Sequence, residues 1–293
     1  MSLTIIIDEK AGPCSGVRRV IRLTEESLAA GKATASLGKV IHNEVEIDRL
    51  KSLGLNEVDH SEFDRVAAGG DPRELVIRAH GEPGAVYQRA QKLGITVIDG
   101  TCPVVTRSQR LARKYYDEGY QVAIIGKPMH AEVIGIQGHC NNEVRVVHDE
   151  HDIEQLDPDR PTYVLAQTTI SDDMWYTLLQ AVQRRVRDVS HRKTICAIVA
   201  RRENDLRHFA ATCDAVIFVG GRNSSNTRVM VDVCKSVNPK TYWIETTEEI
   251  ETAWLDGIET VGVSGSASTP LWLVEKTGEE LARHYAARVA SES

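Results

Sequence analysis

The chain has 293 residues, 42% hydrophobic and 26% charged, enough for two or three small globular domains. A net charge of -7 argues against a general nucleic-acid binder, and no apolar stretch approaches the roughly 18 residues that span a bilayer. The amino terminus lacks the regions of a signal peptide. A cytoplasmic, reducing setting is therefore expected, with the six cysteines as thiols rather than three disulfides.

In chain order the sequence reads as three repeats, at 1–94, 95–192 and 193–293. The first opens with a strand at 5–7 that leads through Gly12-Pro13 to Cys14. A helix at 17–30 follows and closes at Gly31. A strand at 34–37 runs into the loop Gly38-Lys39-Val40-Ile41-His42-Asn43-Glu44. Beyond a helix at 45–53 and strands at 55–58 and 75–77, the loop Arg78-Ala79-His80-Gly81-Glu82 opens a helix at 85–93.

The second repeat begins with a strand at 95–98, then Gly100-Thr101-Cys102-Pro103 and a helix at 107–118. Its strand at 121–125 ends in Gly126-Lys127-Pro128-Met129-His130-Ala131-Glu132. Gly, Lys, His and Glu stand at the same offsets as in the first repeat. Strands at 144–147 and 162–165 follow, and Gln167-Thr168-Thr169-Ile170-Ser171 leads to a helix capped by Ser171.

The third repeat has a strand at 193–195, Cys196, and a helical pattern from about 202. Its strand at 215–219 ends in Gly220-Gly221-Arg222-Asn223-Ser224-Ser225-Asn226. Strands at 242–244 and 260–263 follow. The second of these ends in Ser264-Gly265-Ser266-Ala267-Ser268-Thr269-Pro270, before a helix at 271–289. Short strands alternating with helices argue for an α/β fold of small parallel sheets with right-handed crossovers. Three pseudo-threefold-related domains around a central cavity are the expected arrangement.

Cys14, Cys102 and Cys196 each follow a strand and precede a helix, where peptide dipoles favour a thiolate. Three thiolates could hold zinc with one open position, or an iron–sulfur cluster with one iron lacking a protein ligand. Cys140, Cys213 and Cys234 read as buried thiols. His60, His139, His148, His151, His191, His208 and His284 read as structural or surface residues. His42, His80 and His130 lie in loops that open helices, where helix amides and imidazoles together suit an anion such as phosphate. Ser224, Asn226 and Ser268 add neutral donors in equivalent loops. Glu132, with Thr168 as its partner, is a candidate proton donor.

From Gly12-Pro13-Cys14-Ser15-Gly16-Val17 to Ser266-Ala267-Ser268-Thr269-Pro270 the chain resembles the 4-hydroxy-3-methylbut-2-enyl diphosphate reductase family of the non-mevalonate isoprenoid pathway. Thr101-Cys102-Pro103-Val104-Val105-Thr106, Gln167-Thr168-Thr169-Ile170-Ser171 and Asn223-Ser224-Ser225-Asn226 are the most specific pieces. The resemblance implies a [4Fe–4S] cluster on Cys14, Cys102 and Cys196. It implies a diphosphate site from His42, His80, His130, Thr168, Ser224, Ser225, Asn226 and Ser268. Glu132 and Thr168 would form a proton relay beside His130. The implied reaction is reductive removal of an allylic hydroxyl, with ferredoxin or flavodoxin as electron donor.

Family members usually carry Tyr-Ala-Thr after the third cysteine. Here Ala197-Ile198-Val199 follows, so the hydroxyl expected at Val199 is absent, as is the amide expected at Arg201. Arg202 keeps its place, and Pro13 replaces an aromatic residue. Other readings are a divergent paralogue that reduces a different small, phosphorylated substrate, a non-catalytic iron–sulfur sensor, and a zinc hydrolase.

Overall fold

A computed structural model describes residues 3–70 and 72–291. The first stretch holds β1 (Thr4–Ile7), α1 (Ser15–Ala29), β2 (Thr34–Leu37), α2 (Glu44–Ser52), β3 (Asn56–Val58), α3 (Phe63–Ala68), β4 (Glu74–Ile77), α4 (Gly84–Lys92) and β5 (Thr96–Asp99). Next come α5 (Pro103–Asp117), β6 (Gln121–Ile125), α6 (Ala131–His139), β7 (Arg145–Val147), β8 (Thr162–Ala166), α7 (Asp172–Arg185) and β9 (Val189–Arg192). The chain continues with α8 (Ala197–Ala211), β10 (Ala215–Val219), α9 (Ser225–Val237), β11 (Thr241–Ile244), β12 (Thr260–Gly265) and α10 (Leu271–Ser291). Among the described residues no helix is long and apolar enough to cross a membrane.

The strands form three parallel four-stranded sheets, ordered β3-β2-β4-β5, β7-β6-β8-β9 and β11-β10-β12-β1. All three share one winding: the first strand of the set lies beside the second on one side and the third on the other, and the fourth takes the edge. The third sheet takes its fourth strand from the chain's beginning. Thus β1, preceding Cys14, pairs with β12, and β5, preceding Cys102, pairs with β4. The strand before each cysteine therefore completes the sheet of the preceding repeat, one strand away from the boundary expected at 94/95.

β6, β8 and β10 read as largely apolar runs because both faces are covered. Every residue of β6, β8 and β10 is buried. On β6 and β8, Ala123, Ile125 and Val164 pack with Trp175, Leu178 and Val182 on one side. Val122, Ile124 and Leu165 pack with Ala112, Val133 and Ile136 on the other. The edge strand β9 carries polar residues at three of its four positions. The expected strand at 193–195 lies at Val189–Arg192, where two residues are exposed. Thr194 instead uses its hydroxyl, which accepts from the Ala166 amide at 2.9 Å and donates to the Ala166 carbonyl at 2.5 Å. Two helices begin earlier than expected, α5 at Pro103 and α8 at Ala197.

Contacts divide the chain into two compact units. One is Met1–Arg18, Ile41–Ser52 and Arg201–Ser293; the other is Arg19–Val40 and Leu53–Ala200. The first contains the β11-β10-β12-β1 sheet, and the second contains the other two sheets.

In the first unit, Arg202 joins α8 to the carboxyl ends of β1 and β12. Its guanidinium donates to Asp8 Oδ2 at 2.7 Å, Ser264 Oγ at 2.9 Å and the Gly265 carbonyl at 3.3 Å. Ser264 donates to the same carboxylate at 2.8 Å. Both charged side chains are nearly buried, so removing one partner leaves an uncompensated charge. Arg202→Met is expected to cost about 3 kcal/mol, read from its urea midpoint against that of the unsubstituted chain. A midpoint shift below about 0.5 kcal/mol would show that the pair adds nothing.

Candidate active site

Ligands of parallel α/β sheets sit beyond the carboxyl ends of the strands, where the winding reverses. In each sheet that point lies between the two central strands. The chain leaving those six strands carries His42 after β2, His80 after β4, and His130 with Glu132 after β6. Thr168 follows β8, Ser224 to Asn226 follow β10, and Ser268 follows β12. The fourth strands lead to Cys14, Cys102 and Cys196. Fold repetition thus explains why these residue types recur at the same offsets.

Each of the three cysteines sits at a helix N-cap. The carbonyls of Cys14, Cys102 and Cys196 accept the first helical bonds, from the amides of Arg18 at 2.9 Å, Thr106 at 2.9 Å and Ala200 at 3.0 Å. Pro103 at the first position of α5 needs no partner for a missing N–H. All three thiols are half-buried and outside any disulfide, whereas Cys140, Cys213 and Cys234 are buried. Burial pushes the Cys140 thiol up to about 11 and Cys234 up to about 12, and it also raises Cys213. Burial thus disfavours the thiolate form at these three positions. The donor set of the other three fits a soft metal centre of three thiolates. Among the described residues no three ligating side chains already stand as a closed cage; the repeated helix-cap placement is what marks these thiols.

Within the second unit, six expected site residues are joined by short links. The Cys196 amide donates to the Thr168 carbonyl at 2.9 Å. Thr168 in turn donates from its amide to Glu132 Oε1 at 2.9 Å and from its hydroxyl to Oε2 at 2.7 Å. Glu132 is only 1% exposed. Its burial pushes the carboxyl up to about 7, against the opposing pull of the two Thr168 donors. A buried carboxyl near neutrality, held at both oxygens, can store a proton and release it.

His130 caps α6: its Nδ1 accepts from the Glu132 amide at 3.2 Å. That bond puts the ring proton on Nε2, which makes the imidazole a donor toward an anion. Its ring meets His80 edge-on, with centroids 5.4 Å apart. The Cys102 amide donates to the carbonyl of Ala79, beside His80, at 3.0 Å. Close packing sets this loop. A Cβ at Gly138 of α6 would stand 2.3 Å from Pro83 Cβ, so only glycine lets the two segments approach. Gln167, not foreseen as a site residue, shapes the His130 loop by accepting from the Lys127 amide at 2.9 Å. Its signal was its place beside Thr168.

Within the first unit, Ser224 caps α9, its hydroxyl accepting from the Thr227 amide at 3.2 Å. Ser268 donates to Ser224 Oγ at 3.3 Å, and Thr227 donates to Ser266 Oγ at 2.8 Å. Two strand-end loops thus form one hydroxyl cluster, in which Thr227 and Ser266 are members the sequence did not single out. Asn226 lies in the first turn of α9; the side chain of Ser225 lies outside the described residues. His42 and Cys14 also belong to this unit. A Cβ on Gly221 would stand 2.9 Å from the His42 carbonyl, so the His42 loop packs against the loop after β10. Asn43 caps α2, accepting from the Glu46 amide at 3.0 Å, and Trp272 of α10 donates to Glu46 at 2.9 Å.

Residues 5–282 match the LytB protein family. A 4-hydroxy-3-methylbut-2-enyl diphosphate reductase of Chlorobium phaeobacteroides is 38% identical, the match covering 94% of this chain and 96% of the relative. The reductase of the same name from Chloroherpeton thalassium is 36% identical, over 97% of this chain and 98% of the relative. A solved structure of (E)-4-hydroxy-3-methyl-but-2-enyl diphosphate reductase, described as the terminal enzyme of the non-mevalonate pathway, superposes with a TM-score of 0.77. It is 34% identical, covering 96% of this chain and 99% of the other. A Plasmodium falciparum reductase structure superposes at 0.78 with 23% identity, over 94% and 87% of the two chains, and shares the fold. With strand winding, cysteine positions and end-to-end similarity in agreement, the chain belongs to the LytB family.

Proposed function

We propose that this protein is a 4-hydroxy-3-methylbut-2-enyl diphosphate reductase, acting in the cytoplasm and yielding isopentenyl and dimethylallyl diphosphate. The observation that carries the reading is the buried Glu132–Thr168 pair tied by one amide to Cys196. It sets a proton store beside a candidate cluster ligand, which a sensor does not require. The three repeats, 1–94, 95–192 and 193–293, each contribute one thiol. Cys14, Cys102 and Cys196 would hold a [4Fe–4S] cluster. When bound, such a cluster supplies electrons singly and a Lewis-acidic iron.

His42, His80, His130, Ser224, Ser225, Asn226 and Ser268 hold the diphosphate, whose binding energy orients the reacting carbon. Imidazole N–H and hydroxyl groups do this as hydrogen-bond donors. Removing the hydroxyl consumes two electrons and two protons, replaces a C–O bond with C–H, and releases water. Glu132 delivers protons. Protonated, it donates from Oε2 to the Thr168 hydroxyl, which then turns its own proton outward, and reprotonation resets the pair. Electrons come from reduced ferredoxin or flavodoxin.

The test is turnover of 4-hydroxy-3-methylbut-2-enyl diphosphate by anaerobically prepared, cluster-loaded protein, followed as oxidation of reduced methyl viologen. Substrate-dependent oxidation with formation of both products is expected. A verified cluster with no turnover would reject the assignment and favour the paralogue acting on another phosphorylated substrate, a reading that the altered stretch Ala197 to Arg201 supports.

A further inference from the structure

One face of α5 carries charge that the proposed chemistry does not use. Arg107, Arg110 and Lys114 fall on a single stripe with Pro103 and Leu111, because residues three and four apart share a helix face. Together with Arg19, Asp99, Thr101 and Thr106 they line an open groove of about 520 Å³. Four cations thus face one carboxylate, in a chain whose net charge is -7. Asp99 is partly occupied, accepting from the Thr101 amide at 2.9 Å, and Arg19 donates to the Asp99 carbonyl at 2.7 Å. Lys114 reaches Glu118 only at 3.8 Å. Arg107 and Arg110 are exposed, and no ion pair or hydrogen bond engages either among the described residues. Arg110 and Lys114 also border a second groove of about 530 Å³, where the further cation, Arg113, pairs with Asp117 at 2.7 Å.

The location is as telling as the charge. Thr101 and Pro103, the residues on either side of Cys102, both line the groove. The positive surface therefore reaches the backbone of a proposed cluster ligand. A charged surface steers an oppositely charged protein and fixes its orientation.

We propose that this groove is the docking surface for a small acidic one-electron carrier protein, which donates its electron beside Cys102. The inference rests on the reductase reading, and it names the partner's place on the chain. Two docking events supply the two electrons of each turnover, and each leaves the carrier oxidised by one electron. The two protons come from the Glu132 side.

The experiment uses the full-length, cluster-loaded protein and the double variant Arg107→Glu/Arg110→Glu. Neither residue belongs to the proposed thiol, diphosphate or proton sets. Affinity for oxidised acidic ferredoxin, and in parallel for oxidised acidic flavodoxin, is measured by calorimetry at low and high salt. The unsubstituted chain is expected to bind at least one of them, more weakly as salt rises, and the variant to bind at least about tenfold more weakly. The carrier KM is expected to rise by a similar factor. Turnover driven by reduced methyl viologen, a small radical cation that carries no acidic docking face, should stay within about twofold. Equal carrier affinity in the two proteins overturns the proposal, as does a variant that changes only the oligomeric state. Absent viologen turnover in the unsubstituted chain counts against the reductase reading instead, while the calorimetric comparison still decides the docking surface.

Discussion

Glu132→Gln should retain iron and acid-labile sulfide yet turn over at least about a hundredfold more slowly, the range expected for loss of a positioned general acid. Gln preserves an oxygen for the Thr168 amide, so the loop after β8 keeps its shape. It cannot release a proton to the Thr168 hydroxyl. Near-normal turnover would remove Glu132 from its role. The pH dependence gives a second, independent reading. With its carboxyl pushed up to about 7 by burial, Glu132 is protonated below that value, and kcat should fall as pH rises through it. The same shift acts on stability. The folded value lies above the ordinary 4.5, so ionisation is penalised in the folded state only. The penalty is absent below pH 4.5, grows between 4.5 and about 7, and is then about 3 kcal/mol. Glu132→Gln should therefore match the parent chain near pH 4.5 in urea denaturation and exceed it at pH 8. A gap that does not change with pH would contradict the raised value.

Cys102→Ser and Cys196→Ser should each lose bound iron and the visible absorption of the reconstituted protein, with turnover at background. Cys14→Ser should behave alike, since its N-cap geometry is the same. Cys140→Ser and Cys234→Ala serve as contrasts. Their thiols are packed in apolar surroundings and raised well above neutrality. Full iron binding is expected in both, with Cys234→Ala costing on the order of 1 kcal/mol of stability as a small cavity opens. Iron retained in Cys102→Ser but lost in Cys140→Ser would reverse the assignment.

Much of this is legible in the sequence. Ala215 to Val219 and Gln121 to Ile125 could be read as buried strands because both faces of a central parallel strand are covered. The cysteines and histidines were findable because three sheets wind the same way and expose the same strand ends. Edge strands gave less. At Val189–Arg192 no residue is fully buried, so polar Ser190, His191 and Arg192 hide the strand, while Thr194-Ile195 imitates one. Short α3 was missed because Asp64 and Arg65 interrupt its apolar residues. Helix starts at Pro103 and Ala197 follow from cap geometry, which periodicity cannot detect. The hydroxyl cluster of Thr227 and Ser266 was hidden because its members lie 39 residues apart.

The pairing of β1 with β12 also sets a timetable. Thr4 to Ile7 leave the ribosome some 256 residues ahead of Thr260 to Val263, with which they pair. At about 5–20 residues per second, the opening strand waits on the order of 10–50 s for its neighbour. The sheets built from residues 34–99 and 121–192 need no such delay, because each draws its strands from one continuous stretch. Nascent chains should therefore carry two finished sheets and a loose leading strand that binding chaperones and proteases can reach. A message truncated before β12 would release a polypeptide bearing Cys14 on a segment that has nowhere to dock.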